Sequence, residues 1–156
     1  EFGREGLRGL TRKDIIDRIP ELREKVGDRA ILRALHFIAE NDRVGEQVEA
    51  LKAGDRNAFF EGVMASGRSS YQYLQNVYTT KNVSEQGLSL ALCVTEAFLS
   101  GTGAAWRVHG GGFAGTIQAF VPVELAAKYS EYMDGIFGAG SCYTLSVRMS
   151  GAIKIS

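Results

Sequence analysis

The sequence predicts an α+β domain of two layers, an antiparallel sheet with helices packed on one face. Three observations lead there. Apolar positions recur at helical spacing through the first hundred residues. After Gly101 the pattern changes to short aromatic or β-branched segments set among glycines. The chain then returns to one further helical stripe and a final alternating run.

Each element has its own signal. Thr11 is placed to N-cap a short helix through Ile15, Ile16 and Ile19, and Pro20 suits the opening of another over Glu21–Val26. Gly27 and Asp28 break that helix, and Asp28 caps the next. From Arg29 to Ala53 the residues Ile31, Leu35, Ile38, Val48 and Leu51 keep helical spacing up to Gly54. Asp55 then caps a helix whose inner positions are Phe59, Phe60, Val63, Met64, Tyr71 and Leu74. Two helices joined at one glycine should pair as an antiparallel hairpin. Residues 76–83 read as a polar loop, and Ser84 as the cap of a helix through Leu88, Leu92, Thr95, Phe98 and Leu99 that Ser100 and Gly101 stop. Ala104–Val108 and Phe113–Val121 are strand candidates. Pro122 opens a helix striped by Leu125, Tyr129, Met133, Ile136 and Phe137 and closed by Gly138. Over Cys142–Met149 the alternation of Tyr143, Leu145 and Val147 with Cys142, Thr144 and Ser146 predicts a half-buried strand.

Composition removes several classes of function. With 18 basic and 18 acidic residues the net charge is zero, so no long-range field draws the chain to nucleic acid or to an anionic membrane surface. No basic run interleaved with aromatics is present, which argues against a nucleic-acid partner. No run of about 20 apolar residues offers a membrane span. Cys93 and Cys142 are too few for a disulfide scaffold, and with only His36 and His109 beside them they have no metal-ligand spacing; a reducing, cytoplasmic setting is the expectation. Charge is uneven along the chain: residues 1–61 hold 25 of the 36 Asp, Glu, Lys and Arg. The poorly charged remainder should be buried or cover a large surface, and a chain of these 156 residues alone should self-associate. The opening Glu1-Phe2-Gly3, without an initiator Met, is read as belonging to a longer polypeptide.

The densest chemical signal is the glycine-rich run. Six glycines fall between positions 101 and 115, and Gly110-Gly111-Gly112-Phe113-Ala114-Gly115 satisfies the G-x-G-x-x-G pattern. A dinucleotide fingerprint needs a helix after the last glycine, whereas Thr116–Val121 reads as a strand, and no lysine follows as in a P-loop. A strand–loop–strand cover over nucleotide phosphates fits better, and a tight glycine-packed sheet corner is the plain alternative. Arg107 and His109 lie on one strand face beside the loop, able to meet a phosphate oxygen, a neighbouring domain or loop carbonyls; Trp106 faces the core. Glu40-Asn41-Asp42-Arg43, one turn after His36, reads chiefly as a solvated face with local ion pairs or as a contact to a further domain, with a ligand or catalytic carboxylate as the other reading. Ser66–Ser70 has the composition of an anion-binding turn around Arg68, or of a helix end or kink.

Three stretches in this order resemble the C-terminal domain of galactokinases, in the wider group that includes homoserine, mevalonate and phosphomevalonate (GHMP) kinases. They are Arg33-Ala-Leu-His-Phe-Ile-Ala-Glu-Asn-Asp-Arg43, Ala50–Asp55 continuing through Met64-Ala-Ser66, and Arg107-Val-His-Gly-Gly-Gly-Phe-Ala-Gly115. His109 stands where the family's loop has threonine, and Ala114 replaces a glycine. The resemblance implies a helical lead-in over 1–28 and, over 29–156, a ferredoxin-like sandwich that works against an N-terminal ATP-binding domain of the same polypeptide. It implies transfer of the ATP γ-phosphoryl group, with Mg2+, to the anomeric hydroxyl of galactose or a related sugar. Arg107, His109, Gly110, Gly111, Gly112 and Gly115 would then shape the cofactor side of the cleft. No catalytic residue is assigned to this chain, which alone should not turn over. A non-catalytic sugar or nucleotide sensor, or a regulatory binding module, on the same scaffold is the alternative function.

Overall fold

A computed structural model describes residues 2–3, 5–113 and 115–147. The chain divides into two compact units, Glu1–Phe120 and Val121–Ser156.

In the first unit, α1 (Arg12–Ile16) begins as its sequence predicts: Thr11 and Asp14 form a reciprocal capping box. α2 (Ile19–Lys52) carries Pro20 in its first turn and is interrupted at Gly27, where φ of 77° and ψ of 163° are non-helical. That backbone is open to glycine and strained for other residues, so the predicted break is a kink rather than a loop. Ile15, Leu22, Ile31 and Ile38 form one apolar cluster, with Phe2 and Leu10 packed on it, and this cluster joins the lead-in to α2.

α3 (Arg56–Ser69) starts where Asp55 accepts a hydrogen bond from the Ala58 N–H at 3.0 Å. It runs antiparallel to α2. The contacts give the register directly: Gln47 meets Gly62, Glu40 meets Ser66, His36 meets Ser69, and Arg33 meets Leu74. A side chain at Gly62 would lie 2.8 Å from Gln47 Cγ, so glycine there lets the two helices approach. α3 continues into a π-helical turn, Ser70–Leu74, which ends at Gln75 in the left-handed conformation (φ 56°, ψ 49°). Ser66–Ser70 is therefore helical throughout.

α4 spans Gly87–Leu99. Ser84 does not cap it, because the Ser84 N–H is drawn to Asn82 Oδ1 in a local turn and the helix starts later, after Gln86.

β1 (Ala105–Val108) and β2 (Ile117–Phe120) pair antiparallel, with Ala105 opposite Phe120 and Val108 opposite Ile117. The second strand is shorter than the sequence suggests, since the residues before Thr116 belong to the glycine loop. Among the described residues these two strands make the whole sheet, so the fold is α+β with a narrow sheet. Helices cover both of its faces, which corrects the expectation of one. Arg107 lies against Gly67 of α3 and Phe120 against Phe59 and Phe60, whereas Val108 and Ile117, of opposite parity, pack with Leu88 and Leu92 of α4. Ala105 and Val108 point to opposite faces and are both fully buried, which a sheet covered on one side would not produce.

In the second unit, α5 (Val123–Phe137) follows Pro122 and stops at Gly138. Its C-terminal turn is gathered by Asp134, whose carboxylate accepts from the Gly140 N–H (3.1 Å), the Cys142 N–H (2.9 Å) and the Ser141 hydroxyl (3.1 Å). The Gly140 and Cys142 N–H groups hold the Asp134 pKa below its ordinary value. The strand expected over Cys142–Met149 is not formed at residues 142–147, where Tyr143, Leu145 and Val147 are all exposed; alternation alone supplies no partner strand. Arg148 and Met149 lie outside the described residues.

The Phe59–Phe60–Phe120 contact, with ring centroids 5.4–5.9 Å apart, should carry much of the α3–sheet packing. Phe120→Ala should cost about 3 kcal/mol, near the lower end for such truncations because Phe120 is only half-buried. Phe120→Leu should cost less than half of that. Urea midpoints measure both, and an unchanged midpoint for the alanine variant would contradict this packing.

Candidate functional site

Two features meet around the β1–β2 hairpin: a polar seam behind β1 and the glycine-rich loop at its tip. The seam begins on α2. His36 is buried, and its Nδ1 shares a hydrogen bond of 2.8 Å with Ser69 Oγ. One turn on, Glu40 accepts a 2.6 Å hydrogen bond from the Ser66 hydroxyl and pairs with Arg43. From β1, Arg107 brings Nη1 to 4.0 Å from Glu40 Oε2, while its Nε donates to the Val108 carbonyl at 3.0 Å.

The environment shifts these groups as burial dictates. Desolvation lowers the Arg107 pKa, and it lowers that of Arg43, with Arg107, Arg12 and Arg68 adding repulsion. His36 is also pulled below its usual value, first by burial and then by the nearby Arg43 and Arg107 cations. The seam thus carries an imidazole with a lowered pKa near a carboxylate that pairs with Arg43 and lies 4.0 Å from the Arg107 guanidinium. Glu40 and Arg43, read from sequence as a solvated face, are three-quarters or more buried, and only Asn41 and Asp42 between them are exposed. The hydroxyls of Ser66 and Ser69 are used inside the fold and do not form an anion-binding turn.

The loop is built differently. His109 extends the hairpin by donating its N–H to the Thr116 carbonyl (3.1 Å), and the Gly112 N–H returns to the His109 carbonyl (3.3 Å). Gly110, Gly112 and Gly115 have φ of 55°, 78° and 87°. His109, Gly110, Gly111, Phe113 and Gly115 are exposed, so the turn lies at an open surface. Gly112 is buried: a Cβ there would stand 2.1 Å from the Asn76 carbonyl oxygen and 2.8 Å from its carboxamide. The Phe113 N–H donates to that same carbonyl at 3.1 Å. Around Gly110, Gly111 and Gly115 an added Cβ would meet open space.

The predicted site residues therefore fall into two groups. Gly110, Gly111, Gly112 and Gly115 form the loop with His109 at its entrance. Arg107 reaches back to Glu40 in the seam, while His109 is exposed at the start of the loop. Sequence reasoning missed Asn76, which is 1% exposed with neither carboxamide atom bonded among the described residues. Its signal, a left-handed Gln75 after a π-helical turn, is conformational and has no compositional trace. A further cleft, about 960 Å3 and largely apolar, opens where Phe2, Leu10 and Leu22 face Phe37, with His36 and Glu40 in its wall. Among the described residues no cluster of three or more His, Cys, Asp and Glu is placed to hold a metal ion, and no helix is long and apolar enough to cross a membrane.

No family model matches the chain. Individual proteins do. A galactokinase of Glaesserella parasuis serovar 5 (strain SH0165) is 32% identical over 123 residues, 79% of this chain. A galactokinase of Actinobacillus pleuropneumoniae is 33% identical over 123 residues, again 79% of this chain, and one from serotype 5b (strain L20) of that species is 33% identical over 121 residues. The chain is galactokinase-like. It spans about 30% of the length of these curated relatives. A match covering 123 of 156 residues takes in most of the first unit whichever way it is placed, so the galactokinase likeness includes at least part of the seam and loop region.

The His36 environment gives a pH prediction. A histidine whose folded pKa is depressed binds fewer protons folded than unfolded, so its contribution is full above the unfolded pKa of about 6.5 and is lost as pH falls below it. Urea unfolding should show stability declining below that pH, and His36→Gln should flatten the decline. An identical slope in the variant would place the titration elsewhere.

Proposed function

We propose that this chain is the C-terminal part of a galactokinase-like sugar kinase, completed by an N-terminal ATP-binding domain of the same polypeptide and working in the cytoplasm. The reaction is transfer of the ATP γ-phosphoryl group to the anomeric hydroxyl of galactose or a related sugar. The observation that carries this reading is the open glycine loop on a galactokinase-like chain: Gly110 and Gly111 are exposed, and among the described residues their N–H groups form no main-chain hydrogen bond. Main-chain N–H groups in such a turn suit the equatorial oxygens of a phosphoryl group, because transfer asks mainly for positioning and charge neutralisation.

ATP with Mg2+ supplies the transferable group and its charge balance, and the donor set here fits the phosphate end rather than the ion. The loop amides would hold phosphoryl oxygens, and Gly112, seated on Asn76, would fix the height of the loop. His109 would flank the entrance. Arg107 would act from behind, tying β1 to Glu40 so that the hairpin presents the loop rigidly. The ferredoxin-like arrangement belongs to this same reading, with further strands completing the narrow sheet in the whole protein. This chain by itself should not turn over, since nothing assigns it a catalytic acid or base.

Two glycine replacements separate the roles. Gly111→Val adds its side chain into open space, whereas Gly112→Ala must displace Asn76. In the longer protein, Gly111→Val should lower kcat/KM for ATP at least tenfold, about 1.4 kcal/mol, with an unchanged melting temperature. Gly112→Ala should lower both activity and melting temperature. A coupled ATP-consumption assay over a panel of aldohexoses measures this. Absence of sugar-dependent turnover in the unmodified longer protein would overturn the kinase reading.

A further inference from the structure

The cleft between the lead-in and α2 takes no part in the glycine loop. Its volume of about 960 Å3 lies at the upper end of the range for small-molecule sites, roughly 300–1,000 Å3. Two neighbouring rows of α2 line it. Arg29, Arg33, His36 and Glu40 recur at three- and four-residue spacing as a polar row, and Ala30, Ala34 and Phe37 run alongside as an apolar one. The polar row is uneven in charge. Glu40 is already held by Ser66 and Arg43, and His36 Nδ1 by Ser69. Arg29 and Arg33 are exposed one turn apart, and among the described residues neither forms an ion pair. Arg33 uses only its Nε, which donates to the Leu74 carbonyl at 3.3 Å. Glu5, the other carboxylate of the lining, is exposed and pairs with neither arginine. Like charges at this spacing repel, and an anionic head between them would remove the repulsion through charge-assisted hydrogen bonds.

We propose that this cleft binds an amphipathic carboxylate, its alkyl chain lying on Phe2, Leu10 and Phe37 and its head on Arg29 and Arg33. The lining selects this class over others. A sugar or nucleotide would leave hydroxyls unpaired against the apolar wall. A cationic amphiphile would meet two guanidinium groups, and a neutral chain would leave both uncompensated. From Ala30 to Phe37 the apolar row runs about 10 Å along α2, which suits an extended chain rather than a single ring. Neither ATP nor sugar enters this site, so it stands apart from the kinase reading.

Titration calorimetry on the 156-residue protein tests this with decanoate, octanoate, 1-decanol and decylammonium as probes, each kept below its micelle concentration. Decanoate should bind roughly tenfold more tightly than 1-decanol or decylammonium, through its charged head. Octanoate should bind roughly tenfold more weakly than decanoate, because two methylenes leave the apolar wall. Arg29→Gln combined with Arg33→Gln should bring decanoate down to the level of 1-decanol while 1-decanol keeps its affinity, a split that loss of structure would not produce. Phe37→Ala, at a position 43% exposed and so of little weight in folding, should weaken both ligands. Equal affinity for decanoate, 1-decanol and decylammonium, decanoate binding unchanged in the variants, or no binding by the unmodified protein overturns the proposal. A crystal structure grown with decanoate in which part of a second chain fills the cleft instead does the same. The assay needs no turnover, so an inactive longer protein would leave this result standing, and an active kinase whose cleft ignores decanoate would remove this proposal alone.

Discussion

The arrangement of the first unit depends on a carboxylate, Glu40, placed where three elements converge. It takes the Ser66 hydroxyl of α3, pairs with Arg43 one turn along α2, and faces Arg107 of β1. Burying charge is costly unless every partner is present, and removing one partner from such a group costs more than the intact pair contributes. The seam therefore acts more as a register device than as a source of stability. It fixes α2 against α3 at one pairing, with His36–Ser69 and Arg33–Leu74 as further rungs, and it fixes β1 on that pair. Gly67 completes the join, since a Cβ there would sit 3.0 Å from Arg107 Cβ.

From that seam the loop inherits its position. Val108 is fully buried immediately before His109, so the hairpin leaves the core at a fixed point. The π-helical turn after α3 then brings Asn76 up from the other side to meet Gly112. The glycines consequently have unlike reasons for being glycine. Gly112 needs both its positive φ and its missing side chain, while Gly111 needs neither for folding.

Local signals were legible in the sequence, and long-range ones were not. The Thr11 box, the Asp55 cap, the break at Gly27, Pro122 before α5 and the single-glycine hairpin between α2 and α3 all depend on neighbours within a few residues, and periodicity shows them. The seam depends on partners 26 and 33 residues apart, so Glu40 and Arg43 looked like ordinary surface charges. The run at 142–147 alternates correctly but has no neighbouring strand, and alternation is only a condition for a strand, never its cause. Arg107 and His109 looked like a pair because they are two residues apart. The strand ends between them at Val108, Arg107 reaches back to Glu40, and His109 is exposed at the loop. Three stretches carried the galactokinase resemblance in order, and the relatives show it at 32–33% identity, while Asn76 sat in a segment read as plain loop.

Amide hydrogen exchange on Glu40→Gln tests the central role of the seam. Glutamine keeps the length of the side chain and can still accept from Ser66, but removes the charge that Arg43 and Arg107 share. Exchange should quicken at least tenfold in the helical amides around Ser66 and Ser69 and also at the His109 amide that closes the hairpin onto Thr116, because β1 would lose its anchor. Quickening confined to α2 and α3, with the His109 amide at its original rate, would show that the hairpin is held independently of Glu40 and contradict the account.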